Sequence, residues 1–276
     1  MTLRVRSVSL NLHNRRLLEN VSFDLHAGDR VAVLGANGAG KSTLLKCLTG
    51  EYTAVSGAIT LDGRRLGDLP AAERALKMAV MPQGMTLAFP LRVCDVVALG
   101  RSRHMDERRS RHWQKAAMEM MDVWHLRSRE YPTLSGGEQQ RTQMARVLVQ
   151  IWDCHQHSGD GYFLLLDECF SAADPAHQHS MMEKVGSFAD RGVGVLAVMH
   201  DMSLAAAWAD RVLLLKQGKV TASGPVELLT LPHILQEVYD LPKSLADDYA
   251  RNNRHWLERN AGQSTFIEQS RSLRQI

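Results

Sequence analysis

The 276-residue sequence has no run of about 20 apolar residues, the length that a membrane-crossing helix needs. Its longest apolar stretches, such as 163–166 and 212–215, have the length of strands. The opening MTLRVRSVSLNL alternates apolar and polar residues and lacks an uninterrupted apolar segment, which reads against a secretory leader. There is no CxxC pair. The four cysteines, Cys47, Cys94, Cys154 and Cys169, lie far apart, which argues against a disulfide framework and for reduced thiols in a cytosolic protein. A marked charge imbalance is also missing. With 33 Lys and Arg against 30 Asp and Glu, the formal charge of +3 is too small to mark a nucleic-acid binder. It suits a chain that handles a polyanion or sits beside anionic lipid equally well. Internal repeats and low-complexity tracts are absent too. What remains is a composition ordinary for a globular protein, long enough for a substantial core in one large domain or two small ones.

Along the chain, Leu3, Val5, Val8 and Leu10, then Val21, Phe23 and Leu25, fall at strand spacing, with a turn at 26–29. Residues 30–34 (RVAVL) form a buried strand that runs into a glycine-rich loop, and 41–49 read as a helix. A short strand at 58–61 ends in an Asp62-Gly63 turn. From 83 to 150 the pattern turns helical and rich in Met, Arg and Trp. Strands return at 162–166 and 193–199, and 211–215 with 219–222 predict a hairpin across Gln217-Gly218. Asp174-Pro175 opens a helix with an N-cap residue and an N1 proline, and Gly192 closes it at C′. Strands alternating with helices predict a largely parallel sheet, interrupted by the helical block as an inserted subdomain. The polar residues after 240 read as an appended helix or tail.

Three motifs carry chemistry. Gly35-Ala36-Asn37-Gly38-Ala39-Gly40-Lys41-Ser42, followed by Thr43, fits GxxxxGK[ST] between a strand and a helix. Its glycines let successive N–H groups face β- and γ-phosphates at a helix N-terminus, with Lys41 as cation and the Ser42 hydroxyl for Mg²⁺. Next, the apolar strand 163–166 ends in Asp167-Glu168. An acid at the carboxyl edge of a parallel sheet can hold Mg²⁺ through water, and the adjacent Glu168 can polarise an attacking water. Finally, in Leu134-Ser135-Gly136-Gly137-Glu138-Gln139-Gln140-Arg141 the Ser135/Glu138 spacing is a capping box. A capping box does not explain two glycines in a first helical turn, where each costs about 1 kcal/mol relative to alanine. Bare backbone at a positive helix end does explain them, because a phosphate can approach it. Two phosphate-binding helix ends in one chain imply a head-to-tail dimer. Each nucleotide then lies between the glycine loop of one copy and Ser135, Gly136 and Gly137 of the other.

LSGGEQQR resembles the signature motif of the ABC transporter ATP-binding subunits, and the family's other markers follow in order over residues 3–240. Gln83 matches the glutamine that reaches the metal and the attacking water, Asp174 in 171–174 the D-loop aspartate, and His200 the switch histidine. The resemblance implies an α/β fold, a P-loop NTPase (RecA-like) core with an N-terminal antiparallel β subdomain and an inserted α-helical subdomain. The ATPase domain would span 1–240, with its core at about 1–82 and 162–240 and its helical subdomain at about 83–161, and 241–276 would be appended. ATP and Mg²⁺ are the implied cofactors. Lys41, Gln83, Glu168 and His200 are the implied catalytic residues, and Ser42, Gln83 and Asp167 the metal ligands. Gly35, Asn37, Gly38, Ala39, Gly40, Lys41, Ser42, Thr43, Ser135, Gly136, Gly137 and Asp174 are the implied nucleotide contacts. The family's adenine-stacking aromatic is missing. Leu12 or His13 stands in its region, with His13 the choice. Cys169 and Phe170 replace the usual proline and threonine after the glutamate, and Ala173 replaces a leucine, changes that bear on the tuning of hydrolysis.

Within the family, FPLRV at 89–93 and DVVALGR at 95–101 resemble the branch that serves iron chelates, corrinoids and haem. The polar loop at 153–161 after ARVLVQIW and the later GVGVLAVMHDMSLAAAWADR are similar to the haem-importer ATPases in particular. The implied setting is the cytoplasmic face of the inner membrane. The chain would be peripheral there, a homodimer on a separate permease that is fed by a periplasmic haem-binding protein. Ferric siderophore or vitamin B12 cargo is the alternative. A soluble ABC ATPase acting on nucleic acid is a distant one, since a coiled-coil insertion, a second cassette and a basic excess are all lacking. The remaining clusters read as structural. These are Cys154, His155 and His157 on the polar loop, His177 and His179 at a helix start, the arginines 101, 103, 108, 109 and 111, and the methionines 118, 120, 121, 181 and 182.

Overall fold

The computed structural model describes residues 1–12, 14–84, 89–101, 106–155, 161–170 and 174–272, with backbone alone for 154–155 and 260–272. Strand β1 (Thr2–Leu12) pairs antiparallel with β2 (Arg15–His26), and after β3 (Arg30–Leu34) and α1 (Lys41–Thr49) the chain returns as β4 (Ser56–Leu61) on the other side of β1. With β5 (Arg64–Arg65) these make a four-stranded sheet in the order β2-β1-β4-β5. Leu3, Val5, Val8 and Leu10 of β1 are all buried. The three-residue step from Val5 to Val8 breaks the period of two because the register shifts there, with Ser7 at φ 49°.

The remaining elements build a second sheet and its helices. They are α2 (Ala71–Lys77), β6 (Met78–Met81), α3 (Val93–Ala98), α4 (Glu107–Met120), α5 (Gly136–Gln150), β7 (Tyr162–Asp167) and α6 (Pro175–Ala189). Then come β8 (Val193–Val198), α7 (Met202–Trp208), β9 (Arg211–Lys216), β10 (Lys219–Pro225), α8 (Pro232–Tyr239) and α9 (Lys243–Ser272). The sheet order is β10-β9-β3-β8-β7-β6, parallel throughout except for β10. Every residue of β7 and β8 is buried, as expected of strands covered on both faces. Val31, Val33, Phe163, Leu165, Leu196 and Val198 meet the N-terminal sheet and α1. Their alternating neighbours Ala32, Leu34, Leu164, Leu166, Val195 and Ala197 meet the helices.

One helix end differs from its expected place, and the C-terminal segment takes the helical form. Helix α6 is capped by Asp174 with Pro175 at N1, but it ends at Ala189. Gly192, at φ 93°, therefore lies one residue beyond C′, its N–H donating to the Ala189 carbonyl at 2.8 Å. The residues after 240 form the long helix α9, and its Ala246, Ala250 and Asn253 are buried. The Asn253 amide donates to the Leu229 carbonyl at 2.9 Å and its oxygen accepts from Ser203 at 3.4 Å, which ties α9 to the start of α7.

Two arginines of α4 are engaged at its surface, Arg111 with Glu107 at 2.5 Å and Arg109 with Asp153 at 3.1 Å. Met118, Met121, Met181 and Met182 are buried in the core. His177 and His179 pair with Asp174 and Glu183.

Candidate functional site

Four adjacent parallel strands deliver the site. The glycine loop follows β3, His200 follows β8, Asp167 ends β7 with Glu168 next to it, and Gln83 follows β6. All four strands run the same way, so these groups meet at one carboxyl edge of the sheet.

The loop is folded on itself by an Ala39 N–H donating to the Ala36 carbonyl at 3.1 Å, and α1 starts from Gly40 at φ 102° with no side-chain cap. The contrast with α5, α6 and α7 matters. Ser135, Asp174 and Asp201 side chains accept from the first-turn N–H groups of those helices, while the first N–H groups of α1 are left for an incoming anion. Lys41 is 6% exposed. Its ammonium donates to the carbonyls of Gly35 at 2.8 Å and Ala36 at 3.2 Å. Burial lowers its pKa, and the nearby charges of Glu168 and Asp167 oppose that shift.

The Ser42 hydroxyl donates to Asp167 at 3.2 Å. Asp167 is 5% exposed, and burial pushes its carboxyl pKa up while the Ser42 bond pulls it down. Glu168 stands at φ 52°, a left-handed conformation that costs a residue with a Cβ about 1–2 kcal/mol. It turns the carboxylate out of the strand line. One oxygen accepts from Gln83 Nε2 at 2.5 Å, and the other lies 2.5 Å from His200 Nε2. Glu168 is thereby held between the ends of β6 and β8. Cys169 behind it is fully buried, and burial pushes its thiol pKa up. Phe170 packs near Trp208, with ring centroids 6.2 Å apart.

A cavity of about 520 Å³ opens over this edge, lined by 37–43, Glu168 and His200 and, on its far side, by Arg15, Arg16, Leu17, Gln217 and Gly218. The far wall was not legible as part of a site. It arrives through the β9–β10 turn, where Gly218 N–H donates to the Ala39 carbonyl at 2.9 Å and Glu19 N–H to the Gly218 carbonyl at 2.8 Å. No local motif encodes contacts across nearly 180 residues.

Ser135, Gly136 and Gly137 do not line this cavity. Both halves of the capping box at α5 are formed, and a Cβ on Gly136 would meet nothing within 4 Å. Packing within the chain therefore does not require glycine there. The Asp174 carboxylate is occupied by its own helix, accepting from Ala176 and His177 N–H and lying 2.5 Å from His177 Nδ1. The His177 backbone N–H first, and then its ring, hold the Asp174 pKa below the usual carboxylate range. His13, residues 171–173 and the Cys154, His155 and His157 side chains lie outside the described residues. Among the described residues no group of three or more His, Cys, Asp or Glu side chains could hold a metal, and no helix is long and apolar enough to cross a membrane.

A P-loop over the carboxyl edge of a parallel sheet, an acid pair on the next strand but one, and a signature helix in the same chain define an ATP-binding cassette. The chain belongs to the ABC transporter family and is an ABC transporter ATPase. The family model for ABC transporters matches residues 18–171. Among curated proteins, the chain is 44% identical over 87% of its length to the hemin import ATP-binding protein HmuV of Gloeobacter violaceus, covering 87% of that protein. It is also 44% identical to the HmuV of Pseudomonas putida, with 87% and 92% covered, and 38% identical to that of Rhodopseudomonas palustris, with 90% and 91% covered. Among solved structures, a putative metal-chelate type ABC transporter in an inward-facing conformation aligns with TM-score 0.71 at 26% identity, covering 87% of this chain and 90% of that one. The dimeric bacterial cassette MJ0796 aligns with TM-score 0.70 at 23% identity, with 82% and 99% covered, and bears on the fold alone.

Proposed function

We propose that this chain powers haem import, as one of two copies that close on ATP beneath a separate membrane permease. The observation that carries the cargo is the near full-length identity of about 44% to proteins named for hemin import. The likeness to a metal-chelate type transporter is in keeping with it. We also read 83–161 as a helical subdomain inserted in the core, and the chain as peripheral at the inner face of the cell membrane.

In this reading Lys41 and the backbone N–H groups of 37–43 take up charge from the β- and γ-phosphates. Ser42, Gln83 and Asp167 are the oxygen donors a hard divalent cation prefers, and a carboxyl whose ionised form is disfavoured by burial gains from a cation beside it. Mg²⁺, when bound, supplies positive charge to the phosphoryl oxygens. Glu168 accepts a proton from the attacking water as the new P–O bond forms and the bridging P–O bond breaks toward ADP. His200 orients the water and the γ-phosphate. Ser135 and Gly137 of the second copy complete the phosphate shell, and Asp174 lies where the two copies meet.

The signature helix offers a clean separation of fold from function. Gly136→Asp is expected to leave the melting temperature unchanged or slightly raised, because the new side chain meets open space and a first-turn acid suits the helix dipole. ATP hydrolysis is expected to fall about 100-fold, as a carboxylate then faces the partner's phosphates. A variant that melts normally and hydrolyses ATP at the native rate would refute the head-to-tail arrangement.

The cargo is tested by growth. A strain lacking this chain, and any second haem route, is expected to fail on haem as sole iron source and to grow on a ferric siderophore. Normal growth on haem would move the cargo to siderophore or corrinoid and leave the ATPase untouched.

A further inference from the structure

We propose that Arg15 is the group against which the adenine base stacks, its guanidinium taking the place of an aromatic ring. The proposal rests on the cavity being the ATP site. The loop at 35–43 accounts for the phosphates, and a nucleoside triphosphate is longer than that cradle. Ribose and base must extend along the rest of the cavity, whose wall is Arg15, Arg16, Leu17, Gln217 and Gly218. Among the described residues no Phe, Tyr or Trp lines it.

A purine is flat and apolar on its faces, so it is held best by a flat, weakly hydrated partner. Guanidinium is planar, delocalised and stacks on aromatic faces, and lysine does not reproduce this. The two arginines are not equivalent. Arg16 lies 3.2 Å from the Glu19 carboxylate, which also holds Lys219 at 3.4 Å, so Arg16 belongs to a surface ion-pair network. Arg15 has no hydrogen bond or ion pair among the described residues. It opens β2 opposite Leu12, directly after Asn14 in the left-handed conformation at φ 60°, and its side chain is exposed on the cavity rim. The hairpin thus fixes its backbone, and among the described residues its guanidinium has no partner.

Calorimetric binding of MgADP and of inorganic tripolyphosphate, which has no base, tests this. Arg15→Ala is expected to weaken MgADP about ten-fold and leave tripolyphosphate within about two-fold. Arg15→Lys is expected to share that loss and Arg15→Trp to restore the affinity. Undiminished MgADP binding by Arg15→Ala would overturn the proposal. So would equal loss of both ligands, which would make Arg15 a phosphate cation, and so would a His13→Ala variant that carries the loss instead. If the native protein binds neither ligand, the ATP-site reading itself fails, an outcome distinct from the others.

Discussion

Replacing Glu168 by glutamine is expected to slow ATP hydrolysis by about 1,000-fold while ATP affinity stays within a few-fold of the native value. The amide keeps the size of the carboxylate and can still accept from Gln83, so the loop at the end of β7 keeps its place. What is lost, in the proposed mechanism, is the proton acceptor. The proposed phosphate-binding parts, Lys41 and the N–H groups of the loop, are untouched, so the ATP-bound dimer is expected to accumulate instead of turning over. Single-turnover phosphate release measures the first effect, and a shift to dimer on gel filtration with ATP measures the second. Unchanged turnover would remove Glu168 from the chemistry. The left-handed backbone at Glu168 supports its assignment independently. A residue held at a cost of about 1–2 kcal/mol, and aimed into a cavity between two polar partners, is what functional strain looks like.

Gly35→Ala is expected to be the most damaging single-methyl change in the phosphate loop. Gly35 stands at φ 150°, and a Cβ there would lie 2.1 Å from the Leu215 carbonyl oxygen. That oxygen cannot move aside. Leu215 is in β9, paired with Val220 of β10, while its neighbour Leu214 pairs with Leu34 of β3. Overpacking and a strained φ together cost about 3 kcal/mol or more, a fall in melting temperature of roughly 6–12 °C for a chain of this size. Gly38→Ala is the control. It also has a positive φ, 77°, but a Cβ would meet nothing within 4 Å, so the cost is about 1 kcal/mol. Equal thermal shifts for the two variants would contradict the close approach of the loop to β9. Gly35→Ala is also expected to lose nucleotide binding, because relief of the clash must push the loop off the sheet edge.

Much of the site was legible because its parts are local. The run 35–43 specifies a strand, a bend and a helix start within one stretch of chain. Helix α5 begins where the Ser135/Glu138 capping box puts it, with both reciprocal bonds formed. Asp174-Pro175 opened α6 for the same reason, since N-caps and N1 prolines act within one turn. Gly192 was placed one residue short because helix ends are decided by the next packed element, here β8 one residue further on. The tail after 240 was hard to read because α9 is polar over most of its surface. Its buried contacts are small or polar residues, Ala246, Ala250 and Asn253, which carry little hydrophobic signal, with Leu257 packed beside them only in part.

By itself the sequence marked the residues that gather at the candidate site, Lys41, Ser42, Gln83, Asp167, Glu168 and His200, because their motifs depend on residue type at fixed local spacing. It also determined that the sheet is mostly parallel, since apolar strands alternating with helices leave few other packings. Only the tertiary structure decided that β6, β7, β8 and β3 lie side by side, so that Gln83, Glu168, His200 and Lys41 meet at one edge. It alone decided that Arg15 and the Gln217-Gly218 turn close the far end of the cavity, and that Ser135 and Gly136 stand away from their own chain's cavity. These are contacts between residues up to nearly two hundred positions apart. They follow from how sheets and helices bury their apolar faces against one another, which no short window of sequence encodes.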